Sequence, residues 1–138
     1  CGTFRNYSDL RLNYYGNMYI DGGDFSAVNA DTLINFDFVR ITGGSLSSKP
    51  SESAPWRYSA IVNNGAYKEA GLEIYGGSIS AYETYAIDCY DNTQTTIYDG
   101  KITSTDYPYV INARTGAAVD CKVKSISKKI HWPEDAVG

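Results

Sequence analysis

The 138 residues carry a formal net charge of −4, 43% hydrophobic residues, 13 glycines and 13 tyrosines. The acidic balance leaves no basic stripe to neutralise phosphates, which excludes nucleic acid as the expected partner, and no run of about 18 apolar residues is present to cross a membrane. Length limits the chain to at most one ordinary domain, and three cysteines, an odd number, do not make a disulfide framework.

Read from the amino terminus, the chain repeats itself. Gly2-Thr3-Phe4 is followed by Ile20-Asp21-Gly22-Gly23-Asp24-Phe25-Ser26, Ile41-Thr42-Gly43-Gly44-Ser45-Leu46-Ser47, Ile74-Tyr75-Gly76-Gly77-Ser78-Ile79-Ser80, Ile97-Tyr98-Asp99-Gly100-Lys101-Ile102-Thr103 and the weaker Cys121-Lys122-Val123. Aligned on Phe4, Phe25, Leu46, Ile79, Ile102 and Val123, the copies are 21, 21, 33, 23 and 21 residues apart. Six copies at a near-constant interval predict a solenoid. Since Gly2-Thr3-Phe4 already belongs to a copy, the chain is expected to be a fragment of something longer.

A second strand-forming piece recurs in each unit: Asp9-Leu10-Arg11-Leu12-Asn13, Ser59-Ala60-Ile61-Val62-Asn63, Tyr85-Ala86-Ile87-Asp88-Cys89 and Tyr109-Val110-Ile111-Asn112-Ala113. Leu10, Ile61, Ile87 and Ile111 are expected to point inward. These pieces are too short and too β-branched for helices, and glycine at the corners supplies the positive φ of tight turns. The Leu-x-x-Leu-x-Leu pattern of leucine-rich repeats is absent, which leaves a parallel β-helix of about six coils over residues 1–125, a rod roughly 25 to 30 Å long at about 4.8 Å per coil. The step of 33 marks a loop insertion over 47–58, whose Trp56, Arg57 and Tyr58 are candidate rim residues for a binding face. Residues 126–138 break the repeat and are expected to cap it, with Ile130 and Trp132 over the last coil and Lys128 and Lys129 discouraging edge pairing.

Chemistry is sparse. The sole histidine, His131, has no Ser or Cys partner motif, and the cysteines lack zinc-ligand spacing, so no metal and no cofactor is expected. Asp88, Asp91 and Asp99, and separately Asp21, Asp24 and Asp31, form acidic groups that suit turns. Paired carboxylates or calcium ligands remain as alternatives. Tyrosine carries the stronger pattern: Tyr75 and Tyr98 follow equivalent isoleucines, and Tyr85 and Tyr109 each precede an inward isoleucine by two residues, with Tyr82 and Tyr107 close by. Strict alternation would turn Tyr85 and Tyr109 inward. Such ladders either stabilise the stack or form a platform for sugar rings or a protein.

Gly76-Gly77-Ser78-Ile79-Ser80-Ala81, Tyr85-Ala86-Ile87 and Thr95-Thr96-Ile97-Tyr98-Asp99-Gly100-Lys101-Ile102-Thr103 resemble the repeats of large right-handed parallel β-helix (pectate-lyase-like) proteins of Gram-positive bacterial surfaces and phage tail spikes or fibres. The likeness spans most of residues 2–125. It implies an all-β, single-chain right-handed parallel β-helix that is extracellular, on a cell surface or virion, and serves adhesion. Enzymatic relatives carry Asp plus Arg or Lys constellations not matched here, so no catalytic residue is assigned. The expected function is a rigid module binding a polysaccharide or a cell-surface glycan or protein, with Tyr75, Tyr98, Tyr85, Tyr109, Trp56, Arg57 and Tyr58 as ligand-binding residues. A homo-oligomer (trimer) or end-to-end stacking with other coils is the assembly that goes with a structural fibre. The alternatives are a polysaccharide lyase or hydrolase using Asp88, Asp91 or Asp99, and a purely structural spacer of a fibre.

Overall fold

Alternation of apolar and polar residues sends one set of side chains to one side of each short strand, and repetition at a fixed interval stacks those sets. In the computed structural model, which describes residues 3–6, 11–13, 16–51 and 56–133, this gives a parallel β-solenoid. The first three strands are β1 (Thr3–Asn6), β2 (Arg11–Asn13) and β3 (Asn17–Ile20). Next come β4 (Asp24–Val28), β5 (Leu33–Asn35) and β6 (Phe38–Ile41), then β7 (Ser45–Lys49), β8 (Ile61–Asn63) and β9 (Ala70–Ile74). They are followed by β10 (Ser78–Tyr82), β11 (Ile87–Cys89) and β12 (Thr93–Ile97), then β13 (Lys101–Thr105), β14 (Ile111–Ala113) and β15 (Ala117–Cys121). A short helix α1 (Lys124–Ser127) and a last strand β16 (Ile130–His131) close the chain's described part.

Up to β15 every third strand pairs in parallel, and β16 joins β14, so three sheets wrap the core. Sheet A is β1-β4-β7-β10-β13, sheet B is β2-β5-β8-β11-β14-β16 and sheet C is β3-β6-β9-β12-β15. The alignment read from the sequence is the register of sheet A: Phe4 pairs with Phe25, Phe25 with Leu46, Leu46 with Ile79 and Ile79 with Ile102. Ile61, Ile87 and Ile111 are in register in sheet B and fully buried, as expected of them. Ile20, Ile41, Ile74 and Ile97 form the matching ladder of sheet C. Each buried isoleucine contributes roughly 1.5 to 3 kcal/mol of burial free energy. Leu10, Cys1, residues 52–55 of the insertion and the tail beyond Pro133 lie outside the described residues.

The solenoid has about four turns, against the six coils expected. The sixth copy accounts for part of the difference, and the five strands left in sheet A are separated by only four strand-to-strand steps. Cys121 completes β15, but Val123 is followed at once by α1 and forms no sheet A strand, so the array stops at β13 on that side. The chain then returns once more to sheet B, where β16 pairs with β14. Ile126 and Ile130 are the buried residues of this closing segment, whereas Trp132 stays 46% exposed.

Backbone crowding explains the glycine pairs. At the corner from sheet C to sheet A, Gly23, Gly44, Gly77 and Gly100 all have positive φ. The corners hydrogen-bond to one another, as in Ser45 N–H to the Gly23 carbonyl at 2.9 Å and Ser78 N–H to the Gly44 carbonyl at 2.9 Å. A Cβ on Gly44 would lie 2.8 Å from the Gly23 oxygen, and one on Gly76 would lie 2.7 Å from the Thr42 oxygen. At Gly100 the approach relaxes to 3.4 Å, and there Asp99 replaces the first glycine of the pair.

A polar ladder runs inside the corner from sheet B to sheet C. Asn35 and Asn63 are fully buried. The Asn35 amide donates to Asn63 Oδ1 at 2.8 Å and to the Gly71 carbonyl at 2.9 Å, and the Asn63 amide donates to Thr95 Oγ1 at 3.2 Å. Cys89 Sγ lies 3.3 Å from the same hydroxyl. Burial pushes the Cys89 thiol up to about 12, the state of an inert core cysteine.

Candidate functional site

The outer face of sheet B brings Asp88, Asn112, Arg114 and His131 into one hydrogen-bonded set. The register of β11, β14 and β16 places Asp88 beside Asn112 and Asn112 beside His131. Three residues after Ile111, Arg114 folds back over the previous turn. Its Nε donates to Asp88 Oδ1 at 3.0 Å and its NH2 to Asp88 Oδ2 at 2.8 Å. The Asn112 amide adds a third bond to Asp88 Oδ1 at 3.2 Å, and His131 Nδ1 lies 3.1 Å from Asn112 Oδ1. The guanidinium stacks over the Tyr90 ring at 4.1 Å. This is a two-pronged, charge-assisted pair with a fixed plane.

Aromatic rings border this chain on one side. Tyr85 lies 5.1 Å from Tyr107 and 6.5 Å from Tyr109, and the His131 ring sits 5.8 Å from Tyr85 and 5.0 Å from Tyr109. Strict alternation fails here: Ala86 and Ile87 are both buried, as are Val110 and Ile111, so the backbone bends just ahead of sheet B. The residues before the bend therefore face outward, leaving Tyr85 half-buried and Tyr109 exposed. On the opposite side, Tyr90, Asp91, Asn112, Arg114, His131 and Pro133 are among the residues lining an open cleft of about 500 Å³.

Asp31, two residues ahead of the inward Leu33, is raised to about 6 by burial and by the Asp88 charge, against the opposing effect of the Ser59 N–H that it accepts at 2.9 Å. Since 6 lies above the ordinary 3.8, Asp31 supports the fold fully below about pH 3.8, and that support fades as pH rises through about 6. Asp31→Asn, neutral at every pH, is expected to stabilise the protein by about 1 to 2 kcal/mol at pH 7, discounted for partial solvent screening, and by almost nothing at pH 3.5. Urea melts at the two pH values check this. An equal effect at both would mean that ionisation of Asp31 carries no strain.

The other expected binding residues fall elsewhere. Tyr75 and Tyr98 occupy the corner from sheet C to sheet A, stacked at 4.4 Å and 12°. Arg40 lies 5.7 Å from the Tyr75 ring and pairs with Glu73 at 3.0 Å, and the Tyr75 hydroxyl donates to Glu73 at 3.3 Å. One face of each ring is thus covered by the other. Trp56 is 67% exposed, and Arg57 pairs with Glu83 at 2.7 Å beside an open cleft of about 540 Å³ that Lys49, Tyr82 and Thr105 also line. Tyr58 is half-buried. Of the seven, Tyr85 and Tyr109 meet the Asp88 cluster directly. Of the three acidic candidates, Asp88 has both oxygens engaged and Asp91 lines the cleft. Asp99 sits at the Tyr98 corner, where its Oδ1 accepts the Gly100 N–H at 2.8 Å.

Arg114, Asn112 and His131 were not among the expected site residues, although a signal existed: aligning Ile87 with Ile111 sets Asp88 beside Asn112 and Tyr90 beside Arg114. Among the described residues no group of three or more His, Cys, Asp or Glu side chains is placed to hold a metal ion, and no helix is long and apolar enough to cross a membrane. Comparison with models of protein families, with characterised proteins and with solved structures gives no significant match.

Proposed function

We propose that this solenoid is a rigid glycan-binding module, displayed outside the cell or on a virion, whose binding face is the outer surface of sheet B. The observation that carries the reading is the junction of the Tyr85, Tyr107 and Tyr109 rings with the Asp88, Asn112, Arg114 and His131 hydrogen-bond chain. Sugars present apolar C–H faces and rims of hydroxyl groups, so a site that holds both an aromatic wall and fixed polar groups suits them. Stacked strands hold these groups in place before a ligand arrives, which lowers the ordering cost of binding.

Tyr109→Ala is expected to weaken glycan binding at least 10-fold, equivalent to about 1.4 kcal/mol, while the melting temperature shifts by no more than a few degrees because the ring is partly exposed. Calorimetric titration of the best ligand from a glycan array, with a thermal melt of the same samples, reads both quantities. A folded chain that binds no glycan would leave the spacer reading in its place.

A further inference from the structure

We infer that the cleft beside Asn112, Arg114 and His131 selects neutral sugars over acidic ones and takes a sugar hydroxyl as donor to His131 Nε2; this rests on the glycan-binding reading. The chain of bonds fixes every proton. Asp88, held by the Arg114 fork, only accepts, so the group that Asn112 turns to it at 3.2 Å is the NH2. Asn112 Oδ1 therefore faces His131 Nδ1 at 3.1 Å and also only accepts, which places the proton of the neutral imidazole on Nδ1. Nε2 is left as a bare acceptor with no protein partner among the described residues.

The charge pattern agrees with the donor pattern. A hydroxyl rim can donate to Nε2 and to the Asp91 carboxylate in the same cleft. A uronate or sulfate only accepts and would confront both. Arg114 is the one cation lining the cleft; two of its five N–H donors go to Asp88, whose charge balances its own and leaves Asp91 as the uncompensated charge of the lining. Lys128 and Lys129 lie on the exposed segment before β16, outside the lining. The balance is visible at Tyr90, whose phenol is pushed up first by burial and next by Asp88, with Arg114 opposing more weakly.

The test uses the full chain at pH 8 and a panel of neutral oligosaccharides of glucose, galactose, mannose and N-acetylglucosamine, each paired with a carboxylated or sulfated counterpart. Neutral members are expected to bind at least 10-fold tighter than their charged partners. Asn112→Ala is expected to lose at least 10-fold for the neutral ligand, and nitrogen-15 NMR of the histidine should show the proton on Nδ1 in the parent protein. Equal or tighter binding of the charged partners, or a proton on Nε2, would overturn this inference and leave the glycan-binding reading standing. Failure of every sugar to bind would overturn both.

Discussion

Gly44→Ala is expected to cost about 3 to 5 kcal/mol, a large part of the roughly 5 to 15 kcal/mol that holds a domain together. Two effects add. A left-handed φ of 88° strains an L-residue by roughly 1 to 2 kcal/mol. The new Cβ would also stand 2.8 Å from the Gly23 oxygen and 2.9 Å from the Gly22 carbonyl, both backbone atoms that cannot swing aside. Gly16→Ala supplies the control, because Gly16 has φ of 95° but nothing within 4 Å of its Cβ. It should cost only the conformational part, about 1 to 2 kcal/mol. Urea denaturation of both variants measures the difference, which is the energy of close approach between successive corners. Equal losses would show that the turns have room to separate and that the repeated glycine pairs answer no steric need.

Asn63→Ala is expected to lose about 3 kcal/mol. Asn63 links two turns of the interior, accepting from Asn35 at 2.8 Å and donating to Thr95 at 3.2 Å. Deleting its amide removes two bonds of about 1 kcal/mol each and opens a void beside fully buried neighbours. Asn35 retains its bond to the Gly71 carbonyl, and Thr95 retains Cys89, so the loss should stop short of unfolding the chain. A thermal melt tracking sheet content would reveal it. A change of less than about 1 kcal/mol would mean that water enters and restores the ladder.

The apolar ladders and the Tyr75–Tyr98 stack were legible in the sequence because each depends on one residue type recurring at one interval. The buried asparagines were not, since a polar residue in a strand reads as solvent-facing until its neighbours in the next turn are known. His131 was missed for a related reason. Its segment departs from the repeat, and only the pairing of Ile130 with Ile111 sets it beside Asn112. The bend that turns Tyr85 and Tyr109 outward was hidden because it interrupts the two-residue period on which inward and outward assignments rest. The sixth coil was overcounted on Val123, whose spacing fits the repeat but whose next residues turn into α1.

The uneven spacing of the turns bears on how the chain tolerates length. Between Leu46 and Ile79 it takes 33 residues to cover the step that takes 21 between Phe25 and Leu46, yet both pairs sit in the same parallel register. Closing the longer loop costs only about 0.4 kcal/mol more chain entropy on a logarithmic scale. The extra residues fall in two connections, between β7 and β8 and between β8 and β9, while β8 and β9 keep their pairing with β5 and β6. Those two connections are where this solenoid takes up extra length without shifting the register of its three sheets.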